Sequence, residues 1–262
     1  MNEELGQVEY VFSDKTGTLT CNVMEFKKFS AGTKSYGTGQ KPTAPQESNV
    51  CFHDPAVLQD LKDARSASHE ALHRAMIFLA CCHTIVIDER KGTYNAASPD
   101  ELALVNAAKQ FGYEFKGTDD AANLLIYDKI EDKTLKYRLM NICEFNSTRK
   151  RMSVIVKDPQ GRLILMCKGA DSVILERLSQ ASREGEVLSK TQEYVDLYAE
   201  EGLRTLFLAE KIIDEAIYEE WNAEAEAAKL EIHNRDEAVA AVDEKIETDL
   251  ELIGSTAIED RL

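Results

Sequence analysis

Asp14-Lys15-Thr16-Gly17-Thr18-Leu19-Thr20 is the stretch of this sequence best equipped for chemistry. The aspartate follows an apolar run at residues 8–12, so a buried strand would deliver its carboxylate at the head of a polar loop. A carboxylate so placed can attack the terminal phosphate of a nucleotide, while threonine hydroxyls and the backbone N–H groups around Gly17 hold the phosphate oxygens. Lys15 would neutralise charge that develops during transfer. A phosphatase-type loop would place a second carboxylate two residues after the nucleophile as general acid and base. Thr16 stands there instead, so hydrolysis of an aspartyl phosphate needs a group from elsewhere.

A second pattern, His69-Glu70-Ala71-Leu72-His73, fits H-E-x-x-H, which on a helix sets two imidazoles on one face for zinc with the glutamate as general base. It offers a zinc peptidase as the rival reading. The longer form of that motif needs glycine at Met76 and histidine at Leu79, and Glu89 or Glu101 would have to supply a third ligand. The plainer reading is a polar helix face beside Leu72 and Met76, since no second piece of a zinc site is visible.

The elements that would position these groups follow from periodicity and turn chemistry. After Phe29, Gly, Ser, Thr, Lys and Pro dominate through Gln46, which predicts an irregular connection. Leu58, Leu61, Leu72, Met76 and Leu79 have helical spacing in a segment broken near Gly92. Ser98-Pro99-Asp100-Glu101 combines a cap residue, a first-turn proline and an acid three residues after the cap, so a helix should run over residues 99–111. Apolar segments at 124–130, 135–145, 152–157 and 163–167, the last two joined by Asp158-Pro159-Gln160-Gly161, predict an antiparallel sheet. Helices are expected at 171–178 and 190–201, and a strand at 203–209. The Ala-, Glu- and Lys-rich residues 214–247 predict a long solvent-facing helical stretch before a short strand at 250–253.

The 262 residues suffice for one large domain with a small appendage. A formal net charge of −16 argues against nucleic acid or an anionic lipid surface as partner, although a local basic pocket can still take a small anion. No apolar run reaches the roughly 18 residues a membrane helix needs, which predicts a soluble region. Six cysteines without a C-x-x-C pair read as reduced cytosolic thiols, Cys143 and Cys167 among them as small hydrophobes.

The Asp14 heptad is the signature of P-type ATPases, and residues 5–13 before it resemble the phospholipid flippase branch, type IV. Ala96–Glu101, Glu144–Ser153, Lys168-Gly169-Ala170-Asp171, Glu201–Leu206 and Thr256–Asp260 match that branch in order across the chain. Departures are small, such as Cys21 where the family usually has glutamine and Leu102 where it usually has glycine. The resemblance implies that ATP binds at Phe145, Ser147, Lys168, Arg204, Thr205 and Glu101, and that Asp14 with the Thr16 carbonyl holds Mg2+. Each position has a physical reason and a plainer alternative. Phe145 could stack on adenine or be a core residue. Lys168 could meet the nucleotide at a helix start beside Gly169, or be solvated. Arg204 suits phosphate or ribose oxygens, with Thr205 beside it. Glu101 fits either a capping box or a contact to the adenine amino group.

The expected fold is α+β, a twisted antiparallel sheet flanked by helices, with short pieces of a HAD-like phosphorylation domain at both ends. Residues 1–25 would be the first strand and phosphorylation loop, 26–247 the nucleotide-binding domain, and 248–262 the hinge returning to the phosphorylation domain. The T-G-D and G-D-G-x-N-D motifs expected downstream in the family do not occur in this sequence. The resemblance therefore implies a chain that binds ATP without turnover. Its parent, an integral protein of the plasma membrane or endomembranes with this region in the cytosol, would flip phospholipid through an aspartyl phosphate at Asp14, with or without an accessory subunit.

Overall fold

The computed structural model describes residues 9, 10, 12, 13, 18, 20–88, 90 and 92–261. Asp14, Lys15, Thr16 and Glu89 lie outside the described residues. The elements run β1 (Met24–Ala31), β2 (Lys34–Tyr36), α1 (Ala56–Lys62), α2 (His69–Cys81), β3 (Val86–Asp88), β4 (Thr93–Asn95) and α3 (Pro99–Gln110). They continue with β5 (Tyr113–Thr118), β6 (Asn123–Asp128), β7 (Lys133–Cys143), β8 (Arg151–Lys157), β9 (Leu163–Gly169), α4 (Asp171–Leu175), α5 (Gln180–Glu184) and α6 (Glu186–Glu200). The last four are β10 (Arg204–Ile213), α7 (Glu215–Lys229), α8 (Arg235–Ile246) and β11 (Glu251–Asp260).

Among the described residues nine strands form one antiparallel sheet in the order β2-β1-β11-β10-β9-β8-β7-β6-β5, while β3 and β4 pair separately. The sheet is buried on both faces, and this explains the near-continuous apolar runs of its central strands. Along β9, Ile164 and Met166 enter the core that α2 and α3 cover, whereas Leu163, Leu165 and Cys167 enter the core under α6, α7 and α8. On β8, Met152, Val154 and Val156 take the first face and Ile155 the second. A ring cluster of Phe26, Phe29, Phe52 and Phe111 closes the first core, with Phe52 and Phe111 edge-to-face at 4.9 Å.

The expected antiparallel sheet and the helix from Pro99 are present, and the Asp158–Gly161 turn closes β8 onto β9 through Asp158 N–H donating to the Arg162 carbonyl at 2.9 Å. Several boundaries differ. β2 sits inside the segment expected to be irregular, because Gly32 at φ +58° folds the chain back at once. The expected long helix over 214–247 is two helices broken before Asn234 at φ +61°, and it is not solvent-facing throughout: α7 buries Tyr218, Trp221 and Ala225. The final strand extends through Asp260 and lies in the sheet between β1 and β10, with Ile253, Ala257 and Ile258 buried, so most of residues 248–262 is sheet.

β1 and β11 approach closely at Gly254, where a Cβ would fall 2.0 Å from the Ser30 carbonyl oxygen. Gly254→Ala should therefore destabilise the fold by roughly 3 kcal/mol. Urea unfolding measures this; a midpoint equal to wild type would show that the strands can separate without cost.

Candidate functional site

Alternation along β9 places Lys168 on the face of Ile164 and Met166, where an apolar side chain would be the ordinary occupant. The lysine is only 6% exposed, so its ammonium must find partners inside the protein. It donates to the Cys82 carbonyl at 2.6 Å and to Glu101 Oε1 at 3.1 Å. The other oxygen, Glu101 Oε2, accepts from the Thr84 hydroxyl at 2.8 Å and the Thr84 amide at 3.2 Å. Burial alone would raise the Glu101 carboxyl, but the Lys168 charge and the Thr84 donors outweigh it and hold the group below the usual range. Glu101 is thus an ion-pair partner. The Ser98 side chain makes no capping bond, so the expected capping box is not formed.

This pair forms one side of a cavity of about 500 Å³, with Leu104, Met152 and Leu206 as its apolar floor and Phe145 at its edge. The volume lies in the range of small-molecule sites. Phe145 is 63% exposed, which excludes a core role. Its backbone is nonetheless pinned: the Asn146 carboxamide oxygen accepts from the amides of Thr148 and Arg149, and the Lys150 amide donates to the Asn146 carbonyl at 2.9 Å. Gly169 lets this turn pack against β9, since a Cβ there would lie 2.8 Å from the Lys150 carbonyl oxygen. The required close approach is to backbone. The result is a ring face, a buried cation and an acceptor around one apolar floor, a combination that suits a flat heteroaromatic ligand with polar edges.

The other expected residues divide. Arg204 stands near the mouth, exposed, with its Nη1 donating to both oxygens of Asp100, itself a cavity residue, at 2.9 and 3.1 Å. Thr205 points to the opposite face of β10 from Leu206, and Ser147 is exposed outside the cavity lining. Thr84, Glu144 and Lys150 line the cavity without having been singled out. Lys150 had a signal, lying in a turn between two strands beside the expected aromatic, whereas Thr84 and the Cys82 carbonyl lie in a helix-to-strand connection without a motif. Of the H-E-x-x-H residues, His69 Nδ1 faces the Asp60 carbonyl at 3.2 Å and His73 Nδ1 the Tyr113 hydroxyl at 2.7 Å. Among the described residues no group of three potential metal ligands occurs, and Glu101 is held by Lys168.

The connection between Cys82 and Thr84 depends on His83. Its Nδ1 accepts from the Ile85 amide at 3.1 Å, which requires a neutral ring and leaves Nε2 to donate to the Ala80 carbonyl at 2.9 Å. Burial, with the nearby Lys168 charge, pushes its pKa down from 6.5 to about 4. Below pH 6.5 the unfolded chain takes up a proton that the folded ring refuses, so this residue's contribution to stability is lost as pH falls toward 4. His83→Asn should be less stable than wild type at pH 7, and the gap should narrow through that window. Unfolding curves at several pH values check this; a constant gap would contradict it.

Residues 71–262 match the family model described as P-type ATPase, cytoplasmic domain N. The whole chain aligns at 40% identity with the human protein named phospholipid-transporting ATPase ID, of which it covers 23%. It aligns at 40% with human phospholipid-transporting ATPase IC, covering 22% of it, and at 41% with phospholipid-transporting ATPase 10 of Arabidopsis thaliana, covering 24%. The chain thus spans about a quarter of the length of these relatives. Among the described residues no helix is long and apolar enough to cross a membrane. A curled antiparallel sheet flanked by helices, with a cation-lined cavity at the end of its central strands, accords with this match: the chain belongs to the P-type ATPase cytoplasmic domain N family.

Proposed function

We propose that this chain binds ATP in the cavity between Phe145 and the Lys168–Glu101 pair, as the nucleotide-binding region of a phospholipid-transporting ATPase. One observation weighs most: a nearly buried lysine ammonium, fixed by a carbonyl and a carboxylate, faces a cavity edged by an exposed but anchored aromatic ring. The Phe145 ring would stack on adenine, while Glu101 and the remaining Lys168 proton would address its polar edge or the phosphates. Arg204, released from Asp100, would meet ribose or phosphate oxygens at the mouth. Ser147 would need a change of side-chain setting to take part, and Thr205 a change in the β10 backbone.

In the parent protein, Asp14 would attack the terminal phosphate of ATP and ADP would leave, with Lys15 offsetting the charge. Asp14 and the Thr16 carbonyl, the groups that would hold Mg2+, lie outside the described residues. Residues 1–25 would belong to the phosphorylation domain, 26–247 to the nucleotide domain and 248–262 to the return path, with the β11 segment shared by sheet and connection. The names of the relatives support phospholipid as the transported substrate. The parent would sit in a membrane with this region facing the cytosol, a side that the description cytoplasmic domain N supports. Any accessory subunit of the parent would join outside this chain.

Phe145→Ala should weaken ATP binding about fivefold through loss of the stack. Lys168→Ala should weaken it by about tenfold or more, because it also strands the Glu101 carboxylate. Isothermal titration measures both, and wild-type affinity in either variant would remove that residue from the site. The chain incubated with radiolabelled ATP and magnesium should gain no acid-stable phosphoryl label; its appearance would contradict the proposal that this region alone does not turn over.

A further inference from the structure

A fully buried carboxylate lies on the other face of the sheet from the cavity. Glu247, 0% exposed, accepts from Arg149 Nη2 at 2.5 Å through one oxygen and from Arg151 Nε at 2.6 Å through the other. The Ser153 hydroxyl donates to it as well. Arg151 and Ser153 alternate with Met152, which lines the cavity, so the charged network and the cavity occupy opposite faces of β8. What they share is the turn at residues 144–150. Arg149 bridges the two: beyond its bond to Glu247, its Nη1 donates to the carbonyl of Glu144 at 2.7 Å, while its own amide donates to Asn146 Oδ1 at 2.7 Å. Phe145 stands between the two residues so gripped. Arg151 adds a bond from Nη1 to the Arg149 carbonyl at 3.1 Å, which fixes the bridging residue itself.

We infer that Glu247 and Arg149 are positioning residues for the Phe145 ring: the buried carboxylate orients the guanidinium, the guanidinium holds the Glu144 carbonyl on one side of the exposed aromatic, and the Arg149 amide holds the Asn146 side chain on the other. An exposed phenylalanine in a free loop would have to be ordered by each ligand that stacks on it, and that ordering would be subtracted from affinity. Here the ordering is done within the fold, by charge-assisted bonds in a site closed to water. Neither residue is among the cavity-lining side chains, so their effect on a ligand passes through Phe145. Glu247 also closes α8, its amide donating to the Asp243 carbonyl at 3.3 Å, four residues before β11 begins. The setting of the ring is thereby tied to the helix and strand that lead the chain out of the sheet.

The inference rests on the reading of the cavity as an ATP site, and its test has one arm that needs no ligand. Arg149→Lys keeps a cation beside Glu247 but loses the planar fork whose Nη1 and Nη2 reach the Glu144 carbonyl and Glu247 separately; Glu247→Gln keeps shape and removes charge. In hydrogen exchange, the amides of Thr148, Arg149 and Lys150 should be protected in wild type without nucleotide. They should exchange at least roughly tenfold faster in the variants, with β8 amides 154–156 unchanged. In titrations, Arg149→Lys should weaken ATP about fivefold, leave inorganic triphosphate within about twofold, and add nothing to Phe145→Ala. Unprotected amides in wild type, uniform acceleration across β8, or a loss that persists undiminished in the Phe145→Ala background would each overturn the positioning role. Should neither variant fold, wild-type protection decides. Wild type that shows this protection but does not bind ATP would refute the ATP reading and leave the held turn intact.

Discussion

A lysine ammonium kept from water on a sheet face of apolar neighbours sets the terms for the rest of this molecule. Removing such a charge from solvent costs several kcal/mol unless opposite charge and hydrogen bonds replace the water. Cys82 and Glu101 supply that replacement from two different stretches of chain, and Thr84, in the same connection as Cys82, holds Glu101 in turn. The turn after α2 must present a carbonyl, the first turn of α3 must give up its capping acid, and β9 must end where Gly169 allows the 144–150 turn to pack. A cavity with one buried cation is the outcome of these three placements.

The two faces of the sheet divide the work. Helices α2 and α3 cover the face that bears the cavity, while α7 and α8 cover the face that bears the Arg149–Arg151–Glu247 network. Because both faces are closed, charges on either must be paired internally, and pairing fixes geometry as well as offsetting desolvation. The β7–β8 turn is where the two sets of constraints meet. An exposed aromatic residue there is consistent with a ligand-facing role, since the hydrophobic effect alone would bury it.

Much of this architecture was legible in the sequence, and the exceptions have physical causes. Short apolar runs separated by Asp158–Gly161 announced β8 and β9, and Ser98-Pro99 announced α3, because turn chemistry and capping are local. The break before α8 was hidden, since Asn234 in a left-handed conformation sits in a composition that favours helix on both sides. β11 was read too short because Gly254, Ser255 and Thr256 look like loop residues, and pairing with β1 on one side and β10 on the other makes them strand. For the site, the sequence placed Lys168, Glu101 and Phe145 together through family motifs. It did not foresee that Lys168 is buried and paired, although the apolar run Leu163–Cys167 leading into it was a signal that both faces there are closed. Thr205 was grouped with Arg204 by adjacency, and strand alternation separates them.

The central claim is that ATP enters the cavity between Phe145 and Lys168 and not the larger polar cleft of about 750 Å³ bordered by Asp158, Arg162 and Glu210. The most direct measurement is an amide NMR titration of the isotopically labelled chain with ATP. The account predicts shifts gathered at residues 82–84, 98–104, 144–150 and 168–169. Shifts gathered at residues 158–162 and 210–212, or no saturable shifts at all, would contradict it.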